Sequence, residues 1–212
     1  MKVYGRNVFN ELKGTPEKIK KVYLTKNMDD EDFEFLKQNK IKFEIVDNYR
    51  LNNLTNNGVH QGVMLEISDY VYSSLEEVLE YDKLIILDHL VDPHNFGAII
   101  RTCEAFGIKG IIIPKDRSVL VNETVMKVSA GALNNVKIAQ EVNLVNVINK
   151  LKKNNYFIYG TDMDGQDYYT FSYPNKVCLV IGSEGEGISR LVRENCDDIL
   201  SIPMTKRNFS PG

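Results

Sequence analysis

Three glycines and two acids are packed into Gly182-Ser183-Glu184-Gly185-Glu186-Gly187, directly after the apolar run Val177–Ile181. A continuous run of that kind, rich in β-branched side chains, predicts a strand buried on both faces of a parallel sheet. Glycine tolerates positive φ and lets another group approach the backbone closely. The turn therefore suits a ligand cradle at the carboxyl end of a sheet, where open α/β folds bind. Charge limits what it could hold. Glu184 and Glu186 would repel a pyrophosphate, the spacing is not G-x-G-x-x-G, and no G-K-[ST] follows. A cofactor without phosphate fits this turn better than a dinucleotide or a nucleoside triphosphate. The plainer alternative is an ordinary glycine-rich strand-to-helix connection.

Asn95 and Arg101 form a second group, in D-P-H-N-F-G-A-I-I-R. The spacing of Ala98, Ile99, Thr102, Ala105 and Phe106 predicts a helix that Asn95 caps and Gly107 ends. That helix follows the apolar strand Leu84–Leu87. Arg101, about two turns in, is then expected beside the same sheet edge as the 182–187 turn. Otherwise Asn95 is only a cap and Arg101 only a surface charge. No histidine–acid pair with the spacing of a general base stands out. His60 has no histidine or cysteine near it, and no metal site is expected. Cys103, Cys178 and Cys196 lack C-x-x-C spacing and read as reduced, mostly buried thiols.

The elements that must position these groups fall into two halves. Up to about Ile67 the pattern is helix Asn7–Leu12, strand Ile19–Leu24, helix Asp29–Asn39, strand Lys42–Val46, a further helix whose end and turns Asn52, Asn53, Asn56, Asn57 and Gly58 mark, and strand Val63–Ile67. The acids opening the second helix suit its positive end. Residues 69–82, with the acidic stretch L-E-E-V-L-E, read as a short ordered linker. From Lys83, strands and helices alternate: strand Ile108–Ile113, helix Asn143–Lys153, strand Tyr156–Thr161, a polar excursion over 162–173, the 177–181 strand, a helix from Ile188 to about Asn195, and strand Ile199–Met204. Alternation of this kind implies a mainly parallel sheet. The small residues Ala130, Gly131 and Ala132 suggest close backbone packing.

The 212 residues permit one large or two small domains. A net charge of -3 argues against a uniformly basic nucleic-acid binder. Any RNA contact must come from local groups, such as Lys18, Lys20, Lys21 and Lys26, for which a solvated lysine-rich face is an equal reading. There is no apolar run of membrane-spanning length and no signal peptide, so no membrane association and a cytoplasmic location are expected.

The turn with its following I-P-M resembles the second motif of the SpoU/TrmH family of RNA 2′-O-ribose methyltransferases, in the SPOUT superfamily. D-P-x-N-x-G-x-x-x-R resembles the first motif, and K-V-S-A-G-A at 127–132 is again similar. One departure is His89, where many relatives carry glycine. The N-terminal pattern, opened by Y-G-R-N-V and closed by G-V-H-Q-G-V, resembles the substrate-binding domain of the family's ribosomal RNA members. The likeness is greatest to the RlmB-type guanosine-2′-O-methyltransferases.

That resemblance implies an α/β chain with a small RNA substrate-binding domain at 1–68, a linker at 69–82 and a trefoil-knot methyltransferase domain from 83 to 212. It implies S-adenosylmethionine held by Gly182, Ile202 and Met204, and catalysis by Arg101, Asn95 and Glu184. Arg101 would orient the ribose phosphate and stabilise alkoxide charge, with phosphate accepting the proton, and Glu184 would orient Asn95 or Arg101. Arg6, His60, Gln61 and Arg117 would meet RNA, ribosomal RNA being favoured. The family's working unit is a homodimer. After I-P-M the family pattern continues through a serine-leucine-asparagine segment and a long helix, whereas this chain reads T-K-R-N-F-S-P-G. A truncated member is expected, with an incomplete knot and a weakened dimer. Two alternatives follow: a truncated homologue acting only as an RNA-binding module, and a transfer RNA 2′-O-methyltransferase.

Overall fold

The computed structural model describes residues 1–203. In chain order the regular elements are β1 (Lys2–Tyr4), α1 (Arg6–Leu12), β2 (Ile19–Leu24), α2 (Asp30–Gln38), β3 (Lys42–Ile45), α3 (Asn48–Leu54), β4 (Val63–Ile67), α4 (Leu75–Val78), β5 (Lys83–Asp88) and α5 (Pro93–Ala105). There follow β6 (Gly110–Pro114), α6 (Glu123–Ser129), β7 (Lys137–Glu141), α7 (Leu144–Lys153), β8 (Phe157–Asp167), β9 (Val177–Gly182), α8 (Arg190–Glu194) and β10 (Asp198–Ser201). Two compact units form. The first gathers 1–71, 93–101 and 121–133, and the second 72–92, 102–120 and 134 onward.

The first unit holds a four-stranded sheet in the order β1-β4-β2-β3, with β3 parallel to β2 and β4 antiparallel to both β2 and β1. Phe9, Leu12, Val22, Leu24, Leu36 and Leu65 are buried together in its core. The strand β1 was not expected, because three residues carry no measurable periodicity; its pairing with β4 creates it. Asp30, Glu31 and Asp32 fill the first turn of α2, as the charge argument requires. Asp32 is nevertheless buried, ion-paired to Lys13 at 2.5 Å and to Arg6 at 3.2 Å. The close packing expected at 130–132 centres instead on Gly97. A Cβ there would press on the Val128 side chain and the Ser129 amide. Ala130 and Gly131 have φ of 48° and 84° and turn the chain out of α6.

The second unit is built on a six-stranded, all-parallel sheet in the order β10-β8-β9-β5-β6-β7. The unbroken apolar runs of β5 and β6 are buried almost throughout, as central parallel strands require. Leu144, Val147, Ile148 and Leu151 of α7 bury one face, as their spacing predicts. They join Val78, Leu84, Ile86, Ile112, Ile158 and Val180 in one core.

In the second unit the structure differs from the sequence expectation at three strands. The edge strand β7 has mixed polarity and gave no clear signal. Strand β8 runs through part of the expected polar excursion, because Gln166 and Asp167 pair with Leu200 and Ser201 after a register shift. Strand β10 ends at Ser201, before Met204. Met204, the tail after it and the state of the knot lie outside the described residues. Among the described residues no helix is long and apolar enough to cross a membrane.

Candidate active site

The chain passes outward from β5 through β6 to β7, then returns to lay β8 and β9 on the other side of β5. The order therefore reverses between β5 and β9, whose carboxyl ends lie side by side with Asp88 opposite Gly182. Chains leaving such a pair diverge and open a crevice at the sheet edge. Here the crevice is a cavity of about 560 Å³, and Asp92, Arg117, Ser183, Glu184 and Glu186 are among its lining residues.

The glycine-rich turn closes on itself. Ser183 N–H donates to Gly187 O at 3.1 Å and Gly187 N–H donates back to Ser183 O at 2.9 Å. Gly187 takes φ of 68°, and a Cβ at Gly182 would run into the Gly187 backbone. Glycine at 182 is thus required by the turn's own packing. Glu184, Gly185 and Glu186 stand exposed at the tip.

The 89–92 loop walls the cavity opposite. It is tied to the 117–119 segment by Val119 N–H and the Ser118 hydroxyl, both donating to Leu90 O. Arg117 and His89 both adopt left-handed backbone, with φ of 51° and 56°. Asp88 is fully buried and uses both carboxylate oxygens. One accepts from Ser189 N–H at 2.7 Å, and the other meets His89 Nδ1 at 2.5 Å. Sequence reasoning missed this histidine–acid pair because its members are adjacent. Only the left-handed φ at 89 folds the ring back onto the preceding carboxylate. The signal available was the dipeptide D-H at the end of an apolar strand.

Asn95 is not the helix cap. The helix α5 begins at Pro93, where a missing N–H costs nothing and φ is preset, so Asn95 sits inside the first turn. Gly107 does end it, with φ of 71°. Asn95 and Arg101 belong to the first unit and Glu184 to the second. Within the first unit, Arg101 lines a cavity of about 540 Å³ with Tyr4, His94 and Lys127. The Lys127 ammonium lies 5.5 Å from the centroid of the Tyr4 ring.

The other expected RNA contacts are placed as follows. The Arg6 side chain is engaged by the Asp29 and Asp32 carboxylates. Gln61 Oε1 accepts from Arg6 N–H at 3.0 Å. His60 Nδ1 accepts from Gly62 N–H at 3.0 Å, which leaves Nε2 to donate to Asn52 Oδ1 at 2.9 Å. These three residues hold one loop together, with Gln61 on its surface. Lys21 is paired with Glu44 at 2.8 Å, a contact that raises the lysine pKa and lowers that of the carboxylate. Ile202, just past β10, is 73% exposed.

Comparison with known proteins agrees with this geometry. Residues 82–210 match the model of the SpoU rRNA Methylase family. The chain belongs to that family. Residues 2–73 match a second model, RNA 2′-O ribose methyltransferase substrate binding. A Synechocystis tRNA/rRNA methyltransferase is 42% identical over 173 residues, covering 78% of this chain and 45% of that protein. A TrmH family tRNA/rRNA methyltransferase of Staphylococcus haemolyticus is 36% identical over 214 residues, covering 95% of this chain and 86% of its own. The chain thus spans under half of the first relative and most of the second.

Among solved structures, the SpoU methyltransferase AviRb of Streptomyces viridochromogenes, in complex with AdoMet, has a TM-score of 0.83 at 20% identity, over 100% of this chain and 84% of its own. An rRNA methyltransferase of Sinorhizobium meliloti has a TM-score of 0.79 at 23% identity, over 96% and 79%. These likenesses carry the SpoU fold. S-adenosylmethionine is the cofactor of the family. The turn backbone, the exposed apolar Ile202 and the acids Glu184 and Glu186 all stand at the carboxyl edge of the sheet. That donor set fits a cationic cofactor without phosphate.

Proposed function

We propose that this chain transfers the methyl group of S-adenosylmethionine to a ribose 2′-hydroxyl of RNA, with a guanosine of large-subunit ribosomal RNA as the preferred target. The observation that carries the reading is the acidic, self-closed glycine turn at the reversal point of a parallel sheet, in a chain whose residues 2–73 match an RNA ribose methyltransferase substrate-binding model. Gly182 and Ile202 would hold the cofactor, Gly182 through the turn backbone and Ile202 through its apolar side chain. When bound, it supplies an electrophilic methyl group and a thioether leaving group.

Arg101 would position the ribose phosphate and stabilise charge developing on the oxygen, since an arginine stays protonated. Asn95 and Glu184 would assist it. The substrate-binding half favours ribosomal over transfer RNA, although the relatives' names include both. The test is mass mapping of ribose methylation in a deletion strain. Loss of a single 2′-O-methylguanosine from large-subunit RNA is expected; loss confined to transfer RNA would reverse the preference.

A second reading, an RNA-binding module without catalysis, is favoured by the separate core of the first unit. Titration with S-adenosylhomocysteine separates the two, because RNA binding without cofactor heat would support the module. The working unit is proposed to be a cytoplasmic homodimer. Light scattering over a series of concentrations should show the mass rising toward twice that of the chain, and a monomer at every concentration would refute the assembly.

A further inference from the structure

The cavity of the first unit, about 540 Å³, carries two cations, Arg101 and Lys127. Its size lies within the range of small-molecule sites and suits about one nucleotide. Gly97 lets α5 approach Val128 of α6 closely, and Arg101 stands one turn further along α5 on the same face as Gly97. On the other side, two contacts lay α6 along β1. Lys2 N–H donates to Glu123 Oε1 at 3.0 Å, and the Lys127 ammonium lies 5.5 Å from the centroid of the Tyr4 ring. The second contact is two residues on in the strand and four on in the helix, which keeps one face of each element toward the other. Glu123 is also the ordinary partner for Lys127, an acid four residues before a lysine on one helix. Its Oε1 is engaged by Lys2, and Lys127 meets the ring instead. Arg6, Lys13, Lys21, Lys37 and Arg50 of the same unit are all paired with carboxylates, whereas among the described residues Lys127 and Arg101 form no ion pair.

We propose that Lys127 holds a backbone phosphate of the RNA substrate, next along the strand from the ribose phosphate assigned above to Arg101, with Tyr4 as its positioning residue. The inference rests on the reading above that the substrate is RNA. An ammonium has three N–H donors and no acceptor. The face of the Tyr4 ring attracts its charge and holds it in place, while donors remain for anionic oxygens. Phosphate contacts fix register and orientation and carry no sequence information directly. Lys127 therefore sets where the strand lies beside Arg101, not which nucleoside is methylated. Neutralising a phosphate releases condensed counterions, so each such contact steepens the fall of log affinity with log salt by about 0.7–0.9. Glu123 and His94 share the cavity, so binding is compared at one pH throughout.

Binding of large-subunit ribosomal RNA from a deletion strain is measured over a series of potassium chloride concentrations, with S-adenosylhomocysteine present. Lys127→Ala should reduce the slope of log affinity against log salt by about 0.7–0.9. Lys127→Arg keeps the charge and should keep the slope. Lys153→Ala removes an exposed lysine from the end of α7, controls for net charge, and should also keep it. Calorimetric affinity for S-adenosylhomocysteine should be the same in all three. An unchanged slope in Lys127→Ala, or an equal loss in Lys153→Ala, would overturn the inference. The role of Tyr4 is read from a double-mutant cycle. Tyr4→Leu should weaken RNA binding in the wild type and add nothing to Lys127→Ala, whereas Tyr4→Phe keeps the ring and should bind as the wild type does. Additive losses from Tyr4→Leu and Lys127→Ala would refute the positioning role. Methyl transfer to the same RNA is followed separately with tritiated S-adenosylmethionine. A wild-type chain that binds with the full slope and transfers no methyl group overturns the ribose-methylation reading and leaves the phosphate contact standing. Wild-type binding that does not depend on salt overturns the contact itself.

Discussion

At Gly182 a single hydrogen separates a closed turn from a broken one. The adjoining backbone of Gly187 occupies the space a side chain would need. Gly182→Val should therefore destabilise the chain by about 1–3 kcal/mol or more, the usual cost of forcing extra volume into a packed site. Urea unfolding checks this. The thiols allow a second prediction at the same scale. Burial pushes Cys103 and Cys196 up to about 11, from 9.0, and Cys178 further still. The thiolate is the reactive form, so at pH 8 alkylation by iodoacetamide should be at least about tenfold slower in the native chain than in urea. The folded pKa values lie above the unfolded ones. The stability these thiols contribute is thus complete below pH 9 and declines as pH rises through 11. Chemical denaturation at pH 8 and pH 10.5 should show the loss.

The helices differ in what fixes them. At α6 and α7, Asn122 and Asn143 each accept a hydrogen bond from the amide three residues on, at 3.0 Å. At α4, Ser74 and Glu77 form a reciprocal capping box. Asn122→Ala and Asn143→Ala should each cost about 1 kcal/mol. The inner face of α7 is worth more. Leu151 is fully buried among the strands of the six-stranded sheet, and Leu151→Ala should cost about 2–5 kcal/mol. Equilibrium unfolding of the three variants would test that order, and equal losses would contradict it. At α5 there is no asparagine cap to remove, because Pro93 starts the helix.

For the whole molecule, a net charge of -3 means that RNA affinity depends on local cationic groups rather than on overall field. The cavity lined by Arg101, His94 and Lys127 is one such locality in the first unit. The proposed cofactor site, at the turn and the β10 edge, falls in the second unit. Ligand at 100 times its dissociation constant should add about 2.7 kcal/mol to the stability of the form that binds it. A thermal shift is expected in the wild type and should be absent in Gly182→Val. A shift of equal size in that variant would mean that the turn does not form the cofactor site.

Much of this was legible in one sequence. The strands β5 and β9 carry unbroken apolar runs, and α7 keeps one helical period, so local pattern and burial agree. The two acids of the turn, Glu184 and Glu186, count against a phosphate ligand and are read directly from the sequence. The motifs point to the SpoU/TrmH family from the sequence alone. Tertiary structure decided what depends on partners distant in sequence. The strand β1 exists because β4 pairs with it, and β8 is long because β10 continues along it. Gly97, in the sequence only a motif position, is the point where α5 meets α6 closely. Arg6 and His60 read as exposed contacts, but Asp29, Asp32, Asn52 and Gly62 engage them. The sharpest case is His89. Its neighbour Asp88 stands beside it in sequence, yet sequence alone fixes no backbone angle. Only the left-handed turn after β5, with Ser189 anchoring the carboxylate from across 101 residues, makes the two an oriented pair.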